Sequence, residues 1–233
     1  MDAQTPKEQD TPARAAASSW ALVALIMAMT SLGPLTLNIL VPAIPNLVVT
    51  MNTDPGTVQL TISLYLFGLA ISQLALGPLS DRFGRRPVVI AGLLITAAAS
   101  ILALAATSIG GLIAARTLQA LGASTGLVIG RAIIRDLYDR ERAASMIGWV
   151  MTVMVVAPMV APALGGLLDT TFGWQAIFAF VAAASVVVLI WAVLALRETR
   201  PDHVTSGGFR FIAGEVRELL RQPVFNGYML VCT

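Results

Sequence analysis

The stretch Gly77-Pro78-Leu79-Ser80-Asp81-Arg82-Phe83-Gly84-Arg85-Arg86-Pro87 constrains this chain more than any other. It reads as a charged, glycine-bearing turn between two apolar segments, each long enough to cross a bilayer. Hydrocarbon cannot solvate Asp81, Arg82, Arg85 or Arg86, so the turn must sit in water at one membrane face while its flanks span. Composition points the same way: 57% of the 233 residues are hydrophobic and 12% charged, with a mean hydropathy of +0.80. A soluble domain could not cover its surface with so few charges. The pI near 9.1 does not signal nucleic acid, because the 15 Lys and Arg fall in short loops rather than along one basic face.

A membrane span needs about 20 apolar residues. The apolar runs predict six, near 20–43, 57–79, 86–106, 109–132, 144–168 and 173–196, and a seventh begins at Val224 and reaches Thr233. The turns after spans one, three and five contain no Lys or Arg. Those after two and four carry Arg82, Arg85, Arg86 and Arg131, Arg135, Arg140, Arg142, and Arg197, Arg200, Arg210, Arg217 and Arg221 follow span six. By the positive-inside rule this alternation places the amino terminus and the long last loop in the cytoplasm. The expected organisation is therefore a polar tail over 1–19, a six-span bundle over 20–196, a cytoplasmic linker over 197–222 and the start of a seventh span over 223–233. No secretory signal is evident in the tail. Within the linker, Phe209, Ile212, Val216, Leu219 and Leu220 recur at helical spacing opposite Arg210, Glu215, Arg217, Glu218 and Arg221, the pattern of a helix lying on the membrane surface.

The turn over 77–87 matches G-x-L-x-D-R-x-G-R-R. It resembles the loop between the second and third helices of the major facilitator superfamily of secondary transporters. That resemblance implies an all-α integral membrane fold: the six-helix amino-terminal bundle of a twelve-span molecule, plus the start of a seventh helix. It also implies that Gly77, Asp81, Arg82, Gly84, Arg85 and Arg86 form a cytoplasmic gate rather than a substrate site.

Of the 13 acidic residues none falls at mid-membrane depth, and a single base is embedded in a span. Arg116 lies roughly 10 Å along the fourth span at 1.5 Å per residue. Burying its guanidinium unpaired costs at least about 2.5 kcal/mol, so the side chain must face a wet cavity or a partner, or snorkel outward to headgroups. Gln119 shares its helical face. The run Arg116-Thr117-Leu118-Gln119-Ala120-Leu121-Gly122 resembles the fourth-helix motif R-x-x-Q-x-x-G of proton-coupled drug exporters, which implies a coupling role for Arg116 supported by Gln119. Gly122, Gly126 and Gly130 form a small-residue ridge for close helix approach.

In the fifth span, Gly148, Ala157, Ala161, Pro162, Gly165 and Gly166 resemble the antiporter motif G-x8-G-x3-G-P-x2-G-G, with alanine at two of its glycine positions. A proline and small residues favour a bent helix that can rock against its neighbours, and the resemblance implies export. The first span ends Leu35-Thr36-Leu37-Asn38-Ile39-Leu40-Val41-Pro42-Ala43-Ile44-Pro45, which resembles the opening helix of the Bcr/CflA, or bicyclomycin-resistance, exporters. Asn38 stands where that branch commonly has an acid, and an amide releases no proton near neutral pH. Tyr65 and Gln73, eight residues apart on the second span, are expected to line a cavity with Asn38 and Arg116.

These features imply efflux of an amphiphilic small molecule by proton antiport with alternating access, across the plasma membrane (the inner membrane in a bacterium). No cofactor is expected, the proton gradient supplying the energy, and no enzyme or metal chemistry: His203 is a lone loop histidine and Cys232 a lone cysteine. The expected partners are the lipid bilayer, the small-molecule substrate, and a second six-helix half or a second copy. The alternatives are a half-transporter active only as a dimer and a membrane interaction protein that no longer transports.

Overall fold

The computed structural model describes residues 12–199, with side chains from residue 20 onward. The expected linker helix and seventh span, His203 and Cys232 lie outside the described residues. The chain is all-α: α1 (Pro12–Asn38), a 3-10 turn (Val41–Ala43), α2 (Ile44–Thr50), α3 (Pro55–Phe83), α4 (Arg85–Leu104), α5 (Ile109–Leu137), α6 (Arg140–Phe172) and α7 (Gln175–Ala195). Six stretches of the described chain are long and apolar enough to cross a membrane, the first combining most of α1 with the 3-10 turn and α2.

The helices overrun the predicted spans. α1 is already helical at Pro12, within the expected tail, and α6 has 33 residues, about 50 Å at 1.5 Å per residue. Hydrogen bonding along a helix does not stop where hydrocarbon ends; the polar ends continue in register into the headgroup region. One consequence corrects the turn expected over 77–87. α3 runs through Gly77 and Pro78 to Phe83, and only Gly84 separates it from α4. Gly84 adopts φ +98°, a conformation that favours glycine.

Local chemistry sets the starts of α3, α5 and α6. Asp54 accepts from the Thr57 amide at 2.9 Å, with Pro55 in the first helical turn. The Thr57 hydroxyl and amide together hold the Asp54 carboxyl below its ordinary pKa. Ser108 and Asp139 cap α5 and α6 in the same way, accepting from Gly111 and Arg142.

α5 and α1 form the middle of the bundle. α3 packs mainly on α5, α6 mainly on α1 and the 3-10 turn, and α4 and α7 close the back. Small residues permit the close crossings. A Cβ at Gly126 would lie 2.1 Å from the Met29 carbonyl oxygen, and one at Gly122 2.4 Å from that of Gly92. Thr30 donates across the first crossing to the Gly126 carbonyl at 3.0 Å.

One apolar cluster (Leu25, Ile26, Met29, Val89, Leu93, Ile133) fills the end of the bundle near Gly84, and another (Ile39, Leu40, Leu47, Trp174, Phe178) fills the opposite end. Side-chain staples hold each end. Asn46 donates to Asp169 at 2.8 Å at the arginine-free end, and Arg85 bonds Asp136 at 3.0 Å at the other. The arginine-bearing connections after α3, α5 and α7 therefore gather at one end.

Candidate transport site: a buried arginine layer and a two-part front cavity

Between the apolar clusters lies a thin polar layer centred on Arg116. Its side chain is fully buried, as are Gln119, Ser100, Thr36 and Tyr65. One terminal nitrogen of Arg116 donates to the Thr36 carbonyl at 3.0 Å and to Gln119 Oε1 at 2.7 Å. Gln119 in turn donates to Ser100 Oγ at 2.6 Å, and Ser100 to the Thr96 carbonyl. The layer thus ties α1, α4 and α5. The guanidinium stacks 4.4 Å from the centroid of the Tyr65 ring, and a desolvated cation over an aromatic face gains about 2 kcal/mol. Tyr65 is fixed by donating to the Gly33 carbonyl at 3.1 Å.

Arg116 therefore neither snorkels nor faces a wet cavity. Neutral partners hold it, and it forms no ion pair with a described residue. Its Nε and other terminal nitrogen, like Thr36 Oγ1, are buried without a hydrogen-bond partner. A buried cation left this incompletely satisfied is costly, and its site would be stabilised by any carboxylate or proton acceptor brought close to it.

The four residues expected around one cavity occupy three places. Tyr65 joins Arg116 in the buried layer. Asn38 donates to the Pro34 carbonyl at 2.8 Å and lines an apolar cavity of about 330 Å³ with Gly33, Leu37, Leu69, Leu127 and Met154. Gln73 lines a second cavity, of about 310 Å³, with Leu127, Val128, Arg131, Arg135 and Ile147. Depth is the reason. Eight residues advance a helix by about 12 Å, so a shared face carries Tyr65 and Gln73 to different levels of the bundle. Both cavities lie on the front, where α1 and α5 are flanked by α3 and α6. These flanking helices also present exposed apolar side chains: Phe67, Ile71 and Leu74 on α3, and Val155, Met159 and Val160 on α6.

The charged motif is a compact network. Arg85, itself buried, binds Asp81, Asp136 and Ser80 through its side chain. Its amide and that of Arg86 donate to the two oxygens of Glu198 at 2.8 and 3.2 Å, so a carboxylate from the end of α7 caps the start of α4, where the helix dipole favours negative charge. Arg86 adds a bond to the Val193 carbonyl at 3.0 Å. Arg82 lies over the Phe83 ring, and nothing crowds Gly77. Sequence reasoning missed Glu198 as a partner of this motif, since that pairing exists only once α7 is in place.

On α6, the antiporter-like residues divide by depth. A Cβ at Gly165 would fall on the Ile39 carbonyl oxygen, Ala161 is fully buried and Ala157 nearly so. Gly166 faces Pro42 more loosely, and Gly148 has open space around it. Close approach to the backbone between the end of α1 and the 3-10 turn thus belongs to the half of the motif around Pro162.

A family model for the Major Facilitator Superfamily matches residues 18–233. The chain belongs to that superfamily. Among curated relatives, it is 33% identical over 210 residues to multidrug resistance protein D of Escherichia coli, covering 90% of this chain and 52% of the relative. It is 37% identical over 187 residues to a chloramphenicol resistance protein of Pseudomonas aeruginosa, covering 80% of this chain and 45% of the relative. The chain thus spans about half the length of the superfamily members it matches. The fold is shared with a bacterial homologue of the human lysosomal transporter Spinster, solved inward-facing and occupied: TM-score 0.68, 17% identity, covering 81% of this chain and 46% of the other. With six stretches among the described residues long and apolar enough to cross a membrane, the protein is a multi-pass membrane protein.

Proposed function

We propose that this bundle is one wall of a secondary transporter that exports amphiphilic small molecules in exchange for protons, with a second six-helix half as the opposite wall. Alternating access is then the rocking of one half on the other around a site at their interface. The observation that carries the reading is Arg116: a fully buried cation, without a counter-ion among the described residues, behind an apolar front cavity. Such a group is sensitive to charge arriving on the front face, which is what coupling requires. The relatives' names support drug export, and the resemblance to the Bcr/CflA branch makes that branch the preferred assignment. The positive-inside pattern supports a cytoplasmic Gly84 end, and the plasma membrane is the location that goes with this reading. Asn38 cannot carry the proton and no described acid lies within the apolar layers, so the proton-carrying carboxylate comes from the second half or from the substrate.

The test is drug efflux by the complete protein carrying Arg116→Ala or Arg116→Lys. Arg116→Ala is expected to abolish uncoupler-sensitive efflux with membrane insertion intact, and Arg116→Lys, which keeps the charge, to retain part of it. Unchanged drug resistance in Arg116→Ala removes this residue from the mechanism.

A further inference from the structure

Arg131 and Arg135 lie one turn apart on α5, at the Gly84 end, and topology alone explains their presence but not their surroundings. Both line the 310 Å³ front cavity, facing Gln73 of α3 and Ile147 of α6. Neither forms an ion pair with a described residue. The Nε of Arg131 is buried without a hydrogen-bond partner, and a terminal nitrogen sits 3.9 Å from the sulfurs of Met151 and Met154, which are weak acceptors. The neighbouring acids are engaged elsewhere: Asp136 binds Arg85, and Asp139 caps α6.

The second observation is continuity. Leu127 lines this basic cavity and also the apolar one beside Asn38 and Leu69. Met154 lines the apolar cavity and touches Arg131. Leu127, Arg131 and Arg135 follow one another every four residues, so a single stripe of α5 passes from greasy to doubly cationic. Each cavity by itself is of the size that small ligands fill.

We propose that the two cavities form one site for an amphiphilic anion, its carboxylate or phosphate held by Arg131, Arg135 and Gln73 and its apolar body lying along Leu127 and Met154 toward Asn38. The inference rests on the transport reading and names the substrate class of that same face. Arg guanidinia suit this role because their donors match two-oxygen anions.

The test measures binding, not transport. Radiolabelled laurate is titrated onto the full chain in phosphatidylcholine nanodiscs, with 1-dodecanol, inorganic phosphate and dioleoylphosphatidylglycerol as competitors. Saturable binding is expected, displaced by neither dodecanol nor phosphate. It should weaken about 10- to 100-fold in Arg131→Gln/Arg135→Gln, as loss of charge-assisted hydrogen bonds implies. Arg131→Lys/Arg135→Lys should recover most of it, and Arg140→Gln, at the same end but outside the cavity, should bind as wild type. Undiminished binding in the double glutamine variant overturns the proposal. So does displacement by dodecanol, which makes the site merely apolar, or by phosphate, which makes the tail irrelevant. Displacement by phosphatidylglycerol overturns the assignment to a transported substrate and makes the occupant a lipid headgroup. Absence of saturable laurate binding in the wild type, with drug export intact, removes this inference alone; intact wild-type binding with no export removes the transport reading instead.

Discussion

Gly126→Ala tests the packing on which the whole bundle depends. A Cβ at this position would stand 2.1 Å from the Met29 carbonyl oxygen, 2.4 Å from its carbon and 2.8 Å from the Thr30 nitrogen. All three are backbone atoms of α1, so no rotamer change relieves the contact. Restoring ordinary separation, about 3.5 Å, moves α1 away from α5 by more than 1 Å and stretches the 3.0 Å hydrogen bond from Thr30 to the Gly126 carbonyl. Overpacking of this kind costs about 1–3 kcal/mol. Without the clash, glycine to alanine inside a helix stabilises by about 0.5–1 kcal/mol, so the sign of the effect separates the two cases. Gly77→Ala and Gly148→Ala supply the comparison, because neither glycine has an atom within 4 Å of the added Cβ. Thermal unfolding of the purified protein in one detergent should rank Gly126→Ala several degrees below wild type and both comparison variants at or above it. A Gly126→Ala protein as stable as Gly148→Ala refutes the close crossing of α1 and α5.

Two further outcomes concern the charged motif. Gly84→Ala combines a strained φ of +98° with a Cβ 2.5 Å from Glu198; it should loosen the end of α7 from the start of α4, read as increased deuterium uptake at both segments. Unchanged uptake argues against the Glu198 cap. Asp136→Asn removes one charged partner of Arg85 but leaves Asp81 and Ser80, so the expected loss is about 1–3 kcal/mol. That loss should be absent when Arg85 is already alanine, as measured by a double-mutant cycle on thermal stability.

The six spans of the described residues, the Gly84 end as the common address of the arginine-bearing connections, and the shared face of Arg116 and Gln119 were legible in the letters, because hydrocarbon and helix geometry force each of them. A run such as Phe178–Ala195 has no other use in a bilayer, and an embedded guanidinium must find acceptors. What was not legible depends on the third dimension. The partners of Arg85 come from α5 and α7, dozens of residues away, and no local pattern selects Asp136 over Asp139. The levels of Asn38, Tyr65 and Gln73 along the bundle are set by how α1 and α3 slide against α5, which Gly33, Gly68 and Gly126 decide through backbone contacts. The turn over 77–87 looked like a loop because Gly77 and Pro78 usually interrupt helices, yet α3 passes through both. Arg131 and Arg135 were legible only as topogenic charge, because the cavity they line is assembled with Gln73 of α3 and Ile147 of α6, which no local pattern brings together.

Export by alternating access is tested most directly with the complete protein in proteoliposomes, following accumulation of an amphiphilic dye under an imposed pH gradient. The account predicts uphill accumulation that collapses with an uncoupler and is absent in Arg116→Ala. Equal dye movement with and without the gradient, or in wild type and Arg116→Ala alike, would contradict it.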